Sequence, residues 1–127
     1  MIVKRTTVEM TPFNGLEVFD YTAGMDVTAS LAIINVSPDA RHPEAYSTKS
    51  DKYYYALEGQ IRFGLGRKRF DLVSGDMCLI RREQRFWYEN SGTTQARLLL
   101  VHAPGFDPQS QIFYLDEIGL FRGPGLP

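Results

Sequence analysis

Lys52-Tyr53-Tyr54-Tyr55-Ala56-Leu57-Glu58-Gly59-Gln60-Ile61-Arg62-Phe63-Gly64-Leu65 reads as two strands meeting at one glycine. Aromatic and β-branched residues suit a pleated surface. In the second half Ile61 and Phe63 fall on one face and Arg62 on the other, the period-two pattern of a strand with one dry and one wet side. Lys68 to Val73 continues it, with Phe70 and Leu72 opposing Arg69 and Asp71. Gly59 supplies the positive φ that a tight reversal needs. Further short runs lie to either side: Leu16 to Asp20, Leu31 to Val36, Asp76 to Ile80, Arg85 to Asn90 and Ala96 to His102. Turn signals at Gly64-Leu65-Gly66, Ser74-Gly75 and Asn90-Ser91-Gly92 separate them. Short strands punctuated in this way predict an all-β, antiparallel sandwich or barrel.

The chain has 127 residues, enough for one core and too few for two, so residues 1–127 form a single domain. A net charge of −1 gives no electrostatic footprint for nucleic acid or an anionic membrane as partner. The lone cysteine, Cys78, cannot build a disulfide framework and reads as a small buried hydrophobe. Met1-Ile2-Val3-Lys4-Arg5 lacks the apolar run of a signal peptide, and no stretch reaches transmembrane length, so a cytoplasmic protein is expected. Beyond His102, Pro104 and Pro108 end strand pairing and a short irregular C-terminal tail follows. Ile112, Phe113, Leu115, Ile118, Leu120 and Phe121 make it too apolar for water, so it packs across the barrel or onto a partner subunit. Gly123 to Pro127 is expected to fray.

The spacing between Ala40 and Asn90 resembles the two signature motifs of the cupin superfamily, G-x5-H-x-H-x3,4-E-x6-G and G-x5-P-x-G-x2-H-x3-N. With Gly59 as the last glycine of the first motif, Lys52 takes the glutamate position and Tyr46 and Thr48 the two histidines. With Gly75 opening the second, Arg81 takes the proline, Glu83 the glycine, Phe86 the histidine and Asn90 its own asparagine. The strand and turn Tyr54 to Gly59, the Ser74-Gly75-Asp76 turn and the Asn90-Ser91-Gly92 ending carry the likeness. It implies a small single-domain jelly-roll β-barrel.

In that frame every ligand position is altered. A divalent cation takes imidazole and carboxylate donors. Lys52 as an ammonium has no lone pair, Phe86 cannot coordinate, and Thr48 and neutral Tyr46 are weak ligands. The expectation is no metal and no other cofactor. A relocated site would have to combine His42 and His102 with Glu44 or Asp51, and the alignment leaves His42 in a loop ahead of the ligand strand.

If Lys52 points inward, alternation sends Tyr54 inward too, and if Phe86 does, so does Tyr88. With Tyr46 and Thr48 they predict an aromatic, hydroxyl-lined cavity with one amine, suited to a small organic ligand. Lys52, Tyr46 and His102 are the candidate acid–base residues, and Thr48, Tyr54, Phe86, Tyr88 and Arg81 the candidate binding residues. Desolvation would lower the Lys52 pKa; the alternative is an amine that snorkels to the mouth or pairs with Asp51 or Glu44. Arg81, Arg82 and Arg85 lie near the expected mouth, either to clamp an anion or as a solvated turn. Tyr53 and Tyr55 face outward, where a homodimer interface would favour them. The expected function is metal-independent binding of a small molecule with an acid–base isomerisation, cyclisation or elimination. A non-catalytic binding or sensing module and a metal-dependent dioxygenase or isomerase with relocated ligands are the alternatives.

Overall fold

In a computed structural model, which describes residues 1–115 and 119–122, the chain runs through twelve strands and two short 3-10 turns. The strands are β1 (Met10–Phe13), β2 (Leu16–Asp20), β3 (Ser30–Val36), β4 (Arg41–Ser47), β5 (Asp51–Glu58), β6 (Gln60–Leu65), β7 (Lys68–Val73), β8 (Met77–Ile80), β9 (Phe86–Glu89), β10 (Ala96–Ala103), β11 (Gln111–Leu115) and β12 (Gly119–Arg122). They form two six-stranded antiparallel sheets, ordered β1-β2-β3-β10-β5-β8 and β12-β11-β4-β9-β6-β7. Packed face to face, these are the two walls of a jelly-roll barrel, the fold class the sequence predicts.

The turn residues explain how one chain supplies both walls. β5 and β6 lie in different sheets, so Gly59 is a corner. Its φ is +74°, and a Cβ there would lie 2.9 Å from the Ala96 Cα. Asn90 closes the same end: its side-chain amide donates to the Val36 and Thr94 carbonyls at 2.9 and 2.7 Å, and its oxygen accepts from the Gly92 N–H at 2.9 Å. The frame positions Gly59 and Asn90 therefore do structural work that needs no metal. Glu83, at the second motif's glycine position, holds φ +67°, a conformation that normally favours glycine.

Alternation along uninterrupted strands sends every second side chain between the sheets. Ile34, Val36, Ile61, Phe63, Leu98 and Leu100 are fully buried, each contributing roughly 1.5–3 kcal/mol of hydrophobic stabilisation. Cys78 is buried as expected, its thiol pushed up to about 11 by desolvation.

Four strands escape the sequence reading: β1, β4, β11 and β12. β1 contains Pro12 and lies at a sheet edge, where a missing N–H is tolerated. β4 carries a register shift between His42 and Ala45, and this bulge breaks the period-two pattern. His42 accordingly sits in a strand, not in a loop. The C-terminal segment is also more regular than its prolines suggest: β11 pairs with β4 and with β12. Ile112 and Phe113 are buried there against the rest of the chain. Ile118, the side chains of Leu115, Leu120 and Phe121, and the expected fraying of Gly123 to Pro127 lie outside the described residues.

Candidate functional site

Inside the barrel the side chains form two layers. The lower one is aromatic and is organised around His42, which is fully buried on β4. In register opposite His42, Tyr88 stacks on it with ring centroids 5.0 Å apart. Phe86 lies 4.9 Å away and Phe113 5.9 Å. Tyr54, from the other sheet, meets Tyr88 edge-on at 5.4 Å. The bulge in β4 makes this arrangement: it turns both His42 and Ala45 inward although they are three residues apart, leaving Pro43 and Glu44 half-buried.

The upper layer is polar and occupies the end where β4 finishes and β5 begins. Lys52, His102, Ser47, Ser50 and Gln111 are all buried there. Lys52 is 1% exposed, its Nζ 5.0 Å from the centre of the Phe86 ring. It does not snorkel, and it forms no ion pair with Asp51 or Glu44. Asp51 instead faces Arg81 at 3.7 Å and accepts from the Arg82 N–H, while Glu44 meets Arg85 at 3.0 Å. His102 pairs in register with Lys52 on β5, and its ring lies 5.0 Å from that of Phe106. Outside this end a cavity of about 500 Å³ includes Ser30, Lys49, Pro104 and Phe106 in its wall. A second hollow, of about 770 Å³, lies on the outside of β4 among Arg41, Glu44, Arg85 and Tyr114; it shares no lining side chain with the barrel interior.

Burial fixes the protonation states. Desolvation pushes the Lys52 amine down to about 7, against the opposing pull of Asp51, so near neutral pH it is divided between ammonium and amine. His102 is held well below the usual imidazole range by burial first and then by Lys52 and His42, and stays neutral. The Tyr54 hydroxyl is raised by burial, then by Tyr88 and Cys78. Burial likewise raises Tyr88, partly offset by Tyr54. Both phenols therefore stay protonated, near enough to feel each other, yet neither hydroxyl makes a hydrogen bond of good geometry among the described residues. The Nδ1 of His42 lies 2.7 Å from the Pro43 carbonyl oxygen. A carbonyl only accepts, so Nδ1 carries the hydrogen, and whenever the ring is neutral its lone pair resides on Nε2. A base, two proton donors and an amine that titrates near neutrality thus share one dry compartment.

The structure brings together Lys52, His102, Tyr54, Phe86 and Tyr88 among the residues singled out from sequence. It leaves three outside. Tyr46 and Thr48 were aligned one residue out of phase, since Ala45 and Ser47 are the inward members of β4. Tyr46 packs instead against Tyr114 at 6.0 Å, and the exposed Thr48 hydroxyl donates to the Ser110 carbonyl at 3.3 Å. Arg81 stands at the rim with its side chain 70% exposed. His42, Gln111 and Phe113 are among the interior residues that the motif alignment does not select, with Ala45, Ser47 and Ser50. For His42 the available signal was Pro43, since a proline inside a strand marks a bulge.

The cupin fold usually holds a divalent cation, and the donor set here does not fit one. Among the described residues no three His, Cys, Asp or Glu side chains converge. Glu44 and Asp51, the carboxylates of a relocated site, are committed to arginines at the surface.

Comparison with known proteins agrees with this architecture. The family model described as a cupin domain matches residues 32–102, a span that includes both histidines. Among curated proteins, none matches the chain by sequence. Among solved structures, Pac13, described as a unique nucleoside dehydratase, is 19% identical with a TM-score of 0.77, covering 97% of this chain and 92% of its own. A histidine-to-glutamine variant of Streptomyces Pac13 with uridine is 20% identical at a TM-score of 0.75, covering 87% of each chain. Two further Pac13 variants with uridine each replace a tyrosine by phenylalanine. A predicted oxalate decarboxylase from Thermotoga maritima is 19% identical at 0.73, covering 82% of this chain and 99% of that one.

Proposed function

The chain belongs to the cupin family, and from that premise we propose that it is a metal-independent member that eliminates water from a nucleoside held inside the barrel. The observation that carries this reading is the His42 tautomer. The Pro43 carbonyl directs the lone pair to Nε2, in a compartment where the buried phenols Tyr54 and Tyr88 stay protonated and so hold a proton to give. That pairing of base and acid suits an elimination. Pac13 supports the choice of substrate class: its uridine complexes were solved with one histidine or one tyrosine replaced, and this barrel carries a histidine beside two tyrosines.

In the proposed reaction His42 Nε2 takes a proton from a carbon next to a carbonyl, where the C–H is acidic enough for an imidazole. The electron pair forms a carbon–carbon double bond as the C–O bond of the neighbouring hydroxyl breaks. One of the two phenols gives its proton to the departing oxygen, which leaves as water. Exchange with solvent on product release returns the proton from His42 to the phenolate. Lys52, in its ammonium form, offsets negative charge developing on the carbonyl oxygen; in a water-poor site such stabilisation is worth more than at the surface. The ligand enters at the Lys52 end, next to the cavity that Phe106 borders. A homodimer and a cytoplasmic setting, in which the buried Cys78 thiol stays reduced, belong to the same proposal.

The test is to incubate the protein with pyrimidine nucleosides that carry a carbonyl beside the acidic carbon and follow loss of one water by mass spectrometry. His42→Gln should lower kcat by at least about 100-fold and leave ligand affinity within a few fold. Full turnover in that variant removes His42 as the base. Saturable binding with no water lost, even at high enzyme concentration, identifies a binding module instead.

A further inference from the structure

The proposed chemistry leaves one buried polar side chain in the upper layer without a task. Gln111 opens β11, shares the inner face of that strand with Phe113, and stands in register with Ser47. It is 1% exposed, and neither its amide nitrogen nor its amide oxygen has a hydrogen-bond partner among the described residues. Buried polar atoms are nearly always paired, because each one left dry loses its hydration with nothing in return. The serine hydroxyl groups of the same layer, Ser47 and Ser50, have other partners and neither bonds Gln111. Ser47 accepts from the Lys49 and Ser50 N–H groups at 3.2 and 3.0 Å, and Ser50 donates to the Pro104 carbonyl at 2.7 Å.

A carboxamide places a donor and an acceptor side by side in one plane, and that pattern defines what satisfies it. A carboxylate or phosphate would face the amide oxygen with a second acceptor. One hydroxyl would reach only one end. A planar imide edge meets both ends with two parallel hydrogen bonds.

Resting on the nucleoside reading above, we infer that Gln111 reads the imide edge of a pyrimidine base. Its oxygen accepts from the ring N–H and its amide nitrogen donates to the adjacent ring carbonyl. The base then lies against β11, and the sugar extends toward His42 and the two phenols, where the elimination takes place. Gln111 is in this account a specificity residue, not a catalytic one.

Calorimetric titration of wild-type protein with uridine and with N3-methyluridine, whose edge lacks the N–H, tests the inference. Uridine should bind at least about tenfold more tightly. In Gln111→Met, which keeps most of the volume, the preference should fall to about twofold or less through loss of uridine affinity. A readout on the unmodified fold makes the test independent of how that variant folds. In nitrogen-15-labelled wild-type protein the Gln111 side-chain amide signals should shift with uridine and not with N3-methyluridine. Equal binding of the two ligands, unmoved Gln111 signals, or a preference that persists in folded Gln111→Met each overturns the inference while leaving the nucleoside reading standing. Absence of any saturable uridine binding overturns both.

Discussion

Lys52 shows at the scale of one residue what the interior costs. An ammonium taken out of water without a carboxylate partner is strongly disfavoured, and the amine responds by falling from 10.5 to about 7. Below about pH 7 the side chain is protonated in both folded and unfolded chains, so the full penalty of burying it weakens the fold. Above that value the folded chain sheds the proton while the unfolded chain keeps it, and stability rises with pH toward 10.5. Each pKa unit corresponds to about 1.4 kcal/mol, which bounds the effect at about 5 kcal/mol. Lys52→Met removes the penalty in a side chain of similar length. The variant should be more stable than wild type by about 2–4 kcal/mol at pH 6, and the gap should narrow steadily between pH 7 and 9. Urea unfolding across that range measures it, and a gap that does not change with pH would show that Lys52 is not desolvated. A residue that weakens its own fold and sits beside two proton donors suits function better than packing.

Strands whose alternation is unbroken were legible from sequence, and those with a defect were not. In Gln60 to Val73 the apolar side chains Ile61, Phe63, Phe70 and Leu72 keep the period of two within each strand, so β6 and β7 match the expected ranges, and the inward orientation of Tyr54, Phe86 and Tyr88 follows from the same rule. β4 departs from it at Pro43 and Glu44, and that bulge left His42 outside the strand; Tyr46 and Thr48 take the ligand positions only if three residues separate the motif's second histidine from Lys52, whereas the equally allowed four select the inward Ala45 and Ser47. Gln111 was hidden for another reason: two prolines precede β11, and its pairing with β4 joins residues far apart in sequence. Element geometry also explains Gly64. It lies in register with Trp87, and a Cβ at Gly64 would run into the indole ring. The indole covers the bare glycine and is itself flanked by the Arg41 and Arg69 guanidinium groups, 4.5 and 5.5 Å from its centroid. Gly64→Ala should therefore destabilise the protein by about 1–3 kcal/mol, read from the urea midpoint, although alanine favours ordinary strand backbone over glycine. An unchanged midpoint would mean that Trp87 swings away at no cost.

At the scale of the whole molecule, the outer face of the first sheet is apolar where a solvated wall would carry charge. Register aligns Leu31, Val101, Tyr53 and Leu79 in one row and Ile33, Leu99, Tyr55 and Met77 in the next. Leu31, Tyr53, Tyr55 and Met77 are 36, 37, 40 and 55% exposed, and neither row contains a charged side chain. Charge returns at their margins, at the Arg97–Glu58 pair, 3.6 Å apart, at the Arg81–Asp51 pair and at Arg5 over Phe19, the partner of Ile33. A contiguous patch of this kind is unusual on a monomer, and tyrosine with methionine is the composition of an interface core. Two copies related by a two-fold axis can bury the same rows against each other and close the assembly. A specific contact needs roughly 800 Å² from each partner, an area that two four-residue rows across four strands can approach with Leu57 at their margin. Light scattering at micromolar concentration should give twice the chain mass. Leu99→Asp with Tyr55→Arg should halve that value and leave the circular dichroism unchanged, because both side chains point away from the barrel core. Nucleoside binding should survive in the monomer if the barrel holds the complete site, since every residue assigned to it comes from the inner faces of one chain. A wild-type monomer at that concentration would refute the dimer and leave the apolar rows to a different partner.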